Sequence, residues 1–300
     1  MCDEFTEQDN DKYRATQASA GNLTRREFSA GVSAAMLAAM LPTTASAAQA
    51  GEPAVVESDV LVTTPAGAAD CYLVHPAKGK HPAVIMWPDI MGIRPAFRMM
   101  GKRLASAGYT VLVVNPYYRT HKGDIISTGE GFHMPEVRER LMPHARSLSP
   151  DTCVSDGTAF VAYLDSLAAV DTSRKIGTCG YCMTGSYVIR LAAALPERIG
   201  AGASFHGGGL ASDATDSPHL LLPKVKAGLL IAIAENDDEK DPQAKTLLRV
   251  ASDAANVDAE IEVYAGAMHG WCPLDSRVYN EAQAERAWGR MLALFKRELA

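Results

Sequence analysis

The chain has no surplus of positive charge. Its 29 Lys and Arg stand against 35 Asp and Glu, a formal net charge of −6. A protein that grips phosphate backbones needs a basic face, so this balance argues against nucleic acid as a partner. No block of like charges forms a tail or a membrane patch. Cysteine is sparse: Cys2, Cys71, Cys153, Cys179, Cys182 and Cys272 are too few and too irregular for a disulfide scaffold. There is no internal repeat. The glycines at 207–209 lack the spacing of a phosphate-binding loop. His133 and His144 lack Cys or carboxylate companions at ligand spacing, so no metal is expected. What remains is the balance of an ordinary globular protein, 47% hydrophobic and 21% charged, with enough apolar residues to bury a core without staples.

The N-terminus reads as a separate unit. Asn22-Leu23-Thr24-Arg25-Arg26-Glu27-Phe28 has the pattern of a twin-arginine export signal. A weakly apolar stretch follows at 29–41, then Ala45-Ser46-Ala47, a small-x-small cleavage site. The apolar stretch is shorter than the ~20 residues of a membrane-spanning helix, so no stable membrane anchor is expected. Residues 1–47 are read as a signal peptide served by the twin-arginine translocase, which delivers the chain to the periplasm or beyond. The acidic leader before the arginines (Asp3, Glu4, Glu7, Asp9, Asp11) is unusual for such a signal. Residues 1–47 hold four basic and six acidic residues, so their removal takes the net charge from −6 to −4.

Residues 48–300 read as one α/β domain. Alternating or continuous apolar runs predict strands at 55–64, 69–74, 83–87, 110–114, 175–178, 201–205, 227–234 and 260–264. Helical spacing predicts helices at 97–107, 154–167, 184–195, 242–255 and 276–299. Strand and helix alternate from residue 83 onward, the pattern of a mostly parallel central sheet with helices on both faces. The long irregular stretch 119–152 reads as a lid or binding loop.

The chemistry concentrates at strand ends, where ligands of such sheets bind. Cys182 stands between the strand at 175–178 and the helix at 184–195. A nucleophile on so sharp a turn needs small residues two before and two after it. Gly180 meets the first requirement, and Thr184, with Gly185 next, meets the second approximately. The following helix aims its N-terminus at the thiol and favours the thiolate. An elbow also turns the Met183 N–H toward a developing oxyanion. Asp237 follows the strand at 227–234, and His269 follows the last strand. The order nucleophile, acid, His matches a hydrolase triad. The pair Cys179/Cys182 leaves thiol–disulfide exchange open as an alternative, and a binding protein on a catalytically silent hydrolase fold as a third. Cys179 or Cys272 could pair with Cys182 in an oxidising compartment.

With these residues in hand, the chain from about 55 onward resembles the dienelactone hydrolase (carboxymethylenebutenolidase-like) family of α/β-hydrolases. The resemblance rests on Gly180-Tyr181-Cys182, Asp237 and His269, on Trp87-Pro88-Asp89-Ile90-Met91-Gly92 and on Asn115-Pro116-Tyr117-Tyr118. It implies a Cys182-His269-Asp237 triad, an oxyanion hole from the Ile90 and Met183 N–H groups, no cofactor, and hydrolysis of a small ester or lactone through an acyl-enzyme. It also implies that Asp89, where the family carries Glu, tunes the thiol. The family's carboxylate-clamping arginines are not matched: Pro273 stands at one site, and Arg119 is one residue out of register with the other. Arg119, Tyr118, His206 and Trp271 are the candidate pocket residues, and Arg277 or Arg119 could replace the clamp.

Overall fold

The computed structural model describes residues 4–20 and 54–300. The twin-arginine motif at 22–28 and the small-x-small site at 45–47 lie outside the described residues. Eight strands form one sheet: β1 (Val55–Thr64), β2 (Gly67–Pro76), β3 (Ala83–Trp87), β4 (Thr110–Val114), β5 (Ile176–Tyr181), β6 (Ile199–Phe205), β7 (Gly228–Ala234) and β8 (Ala259–Tyr264). Their order is β1-β2-β4-β3-β5-β6-β7-β8. β1 and β2 form an antiparallel hairpin, β2 runs antiparallel to β4, and every pairing from β4 to β8 is parallel. The expected α/β-hydrolase architecture is therefore present.

The helices are α1 (Glu4–Ala20), α2 (Pro95–Ser106), α3 (Pro135–Arg146), α4 (Pro150–Asp165), α5 (Gly185–Ala194), α6 (Glu235–Lys240), α7 (Ala244–Ala255) and α8 (Glu281–Glu298). Strands buried on both faces need two cores. One gathers Ile85, Trp87, Phe160, Leu164, Ile189 and Leu248 under α4, α5 and α7. The other gathers Met86, Phe97, Leu104, Met291 and Phe295 under α2 and α8. Among the described side chains, neither core takes a residue from α1, and the sheet domain gathers an apolar interior from its own strands and helices. Among the described residues no helix is long and apolar enough to cross a membrane.

The stretch expected to be an irregular lid contains α3. Its apolar face is narrow: only Val137 and Leu141 are buried, and charged residues and Pro143 interrupt the pattern. A third apolar cluster joins these two to Ile90, Tyr117, Ile125 and Phe132, so the segment packs beside the carboxyl ends of the strands.

Candidate active site

β5 runs three residues beyond its expected end, to Tyr181, and delivers Cys182 directly into a short 3-10 turn, Cys182–Thr184, before α5 begins. Cys182 has φ 57°, a left-handed conformation that costs a non-glycine residue on the order of 1–3 kcal/mol and persists only where its surroundings impose it. Those surroundings are tight. A Cβ on Gly180 would stand 2.3 Å from the Thr184 carbonyl oxygen. The second small residue is needed at Gly185 rather than 184, because a Cβ there would meet Gly207 Cα at 2.5 Å. Thr184 is thus compatible with the elbow, and its hydroxyl is useful. It accepts the Tyr181 N–H at 3.0 Å and lies 3.0 and 2.9 Å from the Trp87 and Pro88 carbonyls. It ties the nucleophile turn to the loop after β3.

Two further strand ends supply the partners. Asp237, in the first turn of α6 after β7, accepts a hydrogen bond from His269 Nδ1 at 2.7 Å. The carboxylate only accepts, so a proton lies on Nδ1 and Nε2 is on the side of the ring away from Asp237. Backbone and side chain lock the two loops together: His269 N–H donates to Asn236 Oδ1 at 2.8 Å, and Glu235 N–H to the Ala267 carbonyl at 2.9 Å. His269 is 2% exposed. Burial favours its neutral ring, but the Asp237 carboxylate and the adjoining Cys182 sulfur outweigh that, and its pKa is pushed up to about 10. Burial raises the Asp237 pKa, yet the facing imidazolium wins and holds it below the usual carboxylate range.

Cys182, His206 and His269 open onto one cavity of about 510 Å³, together with Ile90, Phe132 and His133. Arg277 lines it as well. His206 follows β6 with φ 40°, its ring 4.9 Å from that of His269, and burial lowers its pKa. Trp271, expected on the pocket, is instead fully buried behind it. It packs edge-on to His206 at 5.2 Å and stacks on Tyr264 at 5.3 Å.

Asp89 lines the same cavity as Cys182, and its two oxygens accept from Arg94 at 2.7 and 2.9 Å, with Oδ1 also accepting the Met91 N–H at 2.9 Å. Arg94, 1% exposed, grips Asp275 with its other edge at 2.7 and 3.1 Å. A buried guanidinium must be paired on all sides, and here the pairing fastens the loop of Ile90 to the loop of His269. Arg119 and Tyr118 do not line the pocket. Asp156, on α4, is almost sealed from water and needs donors. It takes Arg119 at 2.6 and 2.7 Å and the Tyr118 hydroxyl at 2.8 Å.

Sequence reasoning missed Tyr117 as a positioning residue. Its hydroxyl donates to the Ile90 carbonyl at 2.8 Å and lies 3.6 Å from Met183 Sδ, so one buried phenol braces both segments whose N–H groups would form an oxyanion hole. Asn115 caps its backbone N–H at 2.9 Å. Removing an oxyanion donor outright costs about 10²–10³ in kcat. Tyr117→Phe, which only loosens the donors, is expected to lower kcat about tenfold with KM nearly unchanged, as steady-state ester kinetics would read.

None of the five described cysteines is joined in a disulfide. Cys179 is fully buried within β5 among the apolar residues under α2 and α8, and burial pushes its thiol pKa far up. Cys272 is pushed up in the same way. Among the described residues no group of three or more His, Cys, Asp or Glu side chains is disposed to hold a metal ion.

Comparison with known proteins shows the family and the fold. Residues 69–299 match the model of the dienelactone hydrolase family. A Synechocystis protein described as a "putative carboxymethylenebutenolidase" is 31% identical over 233 residues, spanning 76% of this chain and 91% of its own. The carboxymethylenebutenolidase of Rhodococcus opacus is 24% identical over 224 residues, spanning 74% and 83%. The crystal structure of dienelactone hydrolase from Anabaena variabilis superposes with a TM-score of 0.59 at 17% identity, covering 82% of this chain and 99% of that one, a likeness of fold.

Proposed function

Because the chain belongs to the dienelactone hydrolase family and is a hydrolase acting on esters or lactones, we propose that Cys182 is its nucleophile, His269 its acid and base, and Asp237 the residue that orients and charges His269. The observation that carries this reading is the convergence of Cys182 and His269 on one cavity, with Asp237 2.7 Å from the far side of the imidazole.

A His269 with a pKa of about 10 holds its proton at neutral pH, and an imidazolium beside Cys182 favours the thiolate form of its sulfur. The sulfur attacks the carbonyl carbon, and the Ile90 and Met183 N–H groups receive the oxyanion. As the S–C bond forms and the ester C–O bond breaks, the leaving oxygen takes the His269 proton. In a lactone that oxygen stays tethered to the acyl group. Acylation removes the thiolate charge that supported the imidazolium, so the neutral ring now accepts a proton from water. Water attacks the thioester, the S–C bond breaks, and the proton on His269 again faces a thiolate. The substrate is a small ester or lactone.

Saturable release of p-nitrophenol from p-nitrophenyl acetate, stopped by stoichiometric iodoacetamide, with no reduction of insulin disulfides, is the expected result. Disulfide reduction without ester turnover would overturn the reading in favour of the Cys179/Cys182 pair.

The same proposal extends to location. The ordered motif, apolar stretch and cleavage site at 22–47 support export through the twin-arginine translocase to the periplasm. Arg25→Lys with Arg26→Lys is expected to leave most of the protein in the cytoplasmic fraction, and unchanged fractionation would rule the signal out.

A further inference from the structure

Helix α1, the acidic leader, lies across the mouth of the cavity that holds Cys182 and His269. Glu7 and Asn10 line that cavity. Asn10 is 5% exposed and the Glu7 side chain 14%. The helix is anchored on both rims of the site. Asp11 pairs with Arg277 at 2.8 Å and Glu7 approaches the same guanidinium at 3.4 Å. Arg277 is eight residues past His269. On the other side Asp9 pairs with Lys240 at 2.8 Å, and Lys240 ends α6, the helix that carries Asp237. Three of the acids that are out of place in an export signal, Glu7, Asp9 and Asp11, therefore meet cations beside the catalytic groups.

We propose that α1 is an intramolecular plug of the catalytic cavity, holding the full-length chain in a low-activity form that is relieved when the helix is detached from the sheet domain. The identity of the cavity as catalytic rests on the hydrolase reading above. The plug is built to be removable. Its sequence, EFTEQDNDKYRATQASA, is polar on all sides, and a polar helix of 17 residues is marginal in water without tertiary support. Among the described residues, neither core cluster includes a side chain of this helix. Ion pairs at a cavity rim are individually weak, but a tethered segment acts at an effective concentration of roughly millimolar, so a contact with a Kd of about 0.1 mM stays roughly 90% closed while linked and opens once cut. The small-x-small site at 45–47 stands between plug and domain.

The test compares three proteins: the full chain, the full chain with Glu7→Gln, Asp9→Asn and Asp11→Asn, and the chain 48–300. Two rates are read for each: p-nitrophenyl butyrate turnover, and alkylation of Cys182 by iodoacetamide followed on its own peptide by mass spectrometry. The full chain is expected to be about tenfold slower than the other two in both readouts. Synthetic peptide 4–20 at millimolar concentration is expected to slow the 48–300 chain, and 1 M NaCl to speed the full chain. Equal alkylation of Cys182 in all three proteins overturns the plug, as does a triple variant that stays as slow as the full chain. If alkylation differs as expected while none of the three turns over ester, the plug stands and the hydrolase reading falls.

Discussion

Cys182→Ala is expected to remove ester turnover by a factor of ~10⁴ or more, the scale on which deletion of a covalent nucleophile acts, while Cys179→Ala stays within about threefold of the parent. The two thiols stand three residues apart, yet their surroundings differ. Cys182 opens onto the cavity, at φ 57°, beside His269. Cys179 is sealed within β5, where burial keeps its proton on. Trimming its sulfur leaves a void costing about 1 kcal/mol of stability but touches nothing on the cavity. Parallel assays of the two variants, with unfolding midpoints to confirm that both fold, measure the difference. Equal losses in both would mean that the thiols act as a pair, and the single-nucleophile account would fail.

Asp237→Asn is expected to lower kcat/KM by ~10³–10⁴ at neutral pH, as loss of the orienting acid does in related triads. The amide can still occupy the carboxylate's site, but it cannot hold the Nδ1 proton by charge, and it admits the wrong tautomer. The pH profile gives a second, independent reading. The folded pKa of His269 is raised above its ordinary 6.5 to about 10, against the effect of burial, chiefly by Asp237 and then by the Cys182 sulfur. The proton that must reach the leaving oxygen is therefore present through the neutral range and lost as pH rises through about 10. With an alkyl ester, whose poor leaving group needs that proton, kcat/KM should fall only above this limb. In Asp237→Asn the largest raising influence is gone while burial remains, so the limb moves to lower pH. A limb that does not move would mean that Asp237 does not set the charge of His269.

Much of this arrangement could be read from the sequence because Cys182, Asp237 and His269 each lie within five residues of a strand's carboxyl end, and β5 and β7 are buried strands that announce themselves as short apolar runs. β3 and β4 fall at their expected bounds, 83–87 and 110–114. The spacing of the small residues about Cys182 was legible only in part. Gly180 is required as expected, but the second close approach is at Gly185, where α5 passes Gly207. No local pattern reveals a contact made with the end of another strand. Long-range pairing hid the rest. Asp89 is expected to tune the thiol, but nothing local reveals that its partner Arg94 is also held by Asp275, 181 residues from Arg94. Arg119 and Tyr118 were drawn off by Asp156, a carboxylate whose burial no window of sequence discloses. Helix α1 was missed because it has no apolar stripe, and its place in the fold comes from cations at 240 and 277.

If Cys182 carries the reaction, turnover passes through an acyl group on its sulfur. Intact-mass measurement of the 48–300 chain, quenched in acid during turnover of p-nitrophenyl acetate, should show a species heavier by one acetyl group, mapped by peptide analysis to Cys182 and absent from Cys182→Ala. An acetyl group on any other residue, or full turnover with no adduct in either protein, would contradict it.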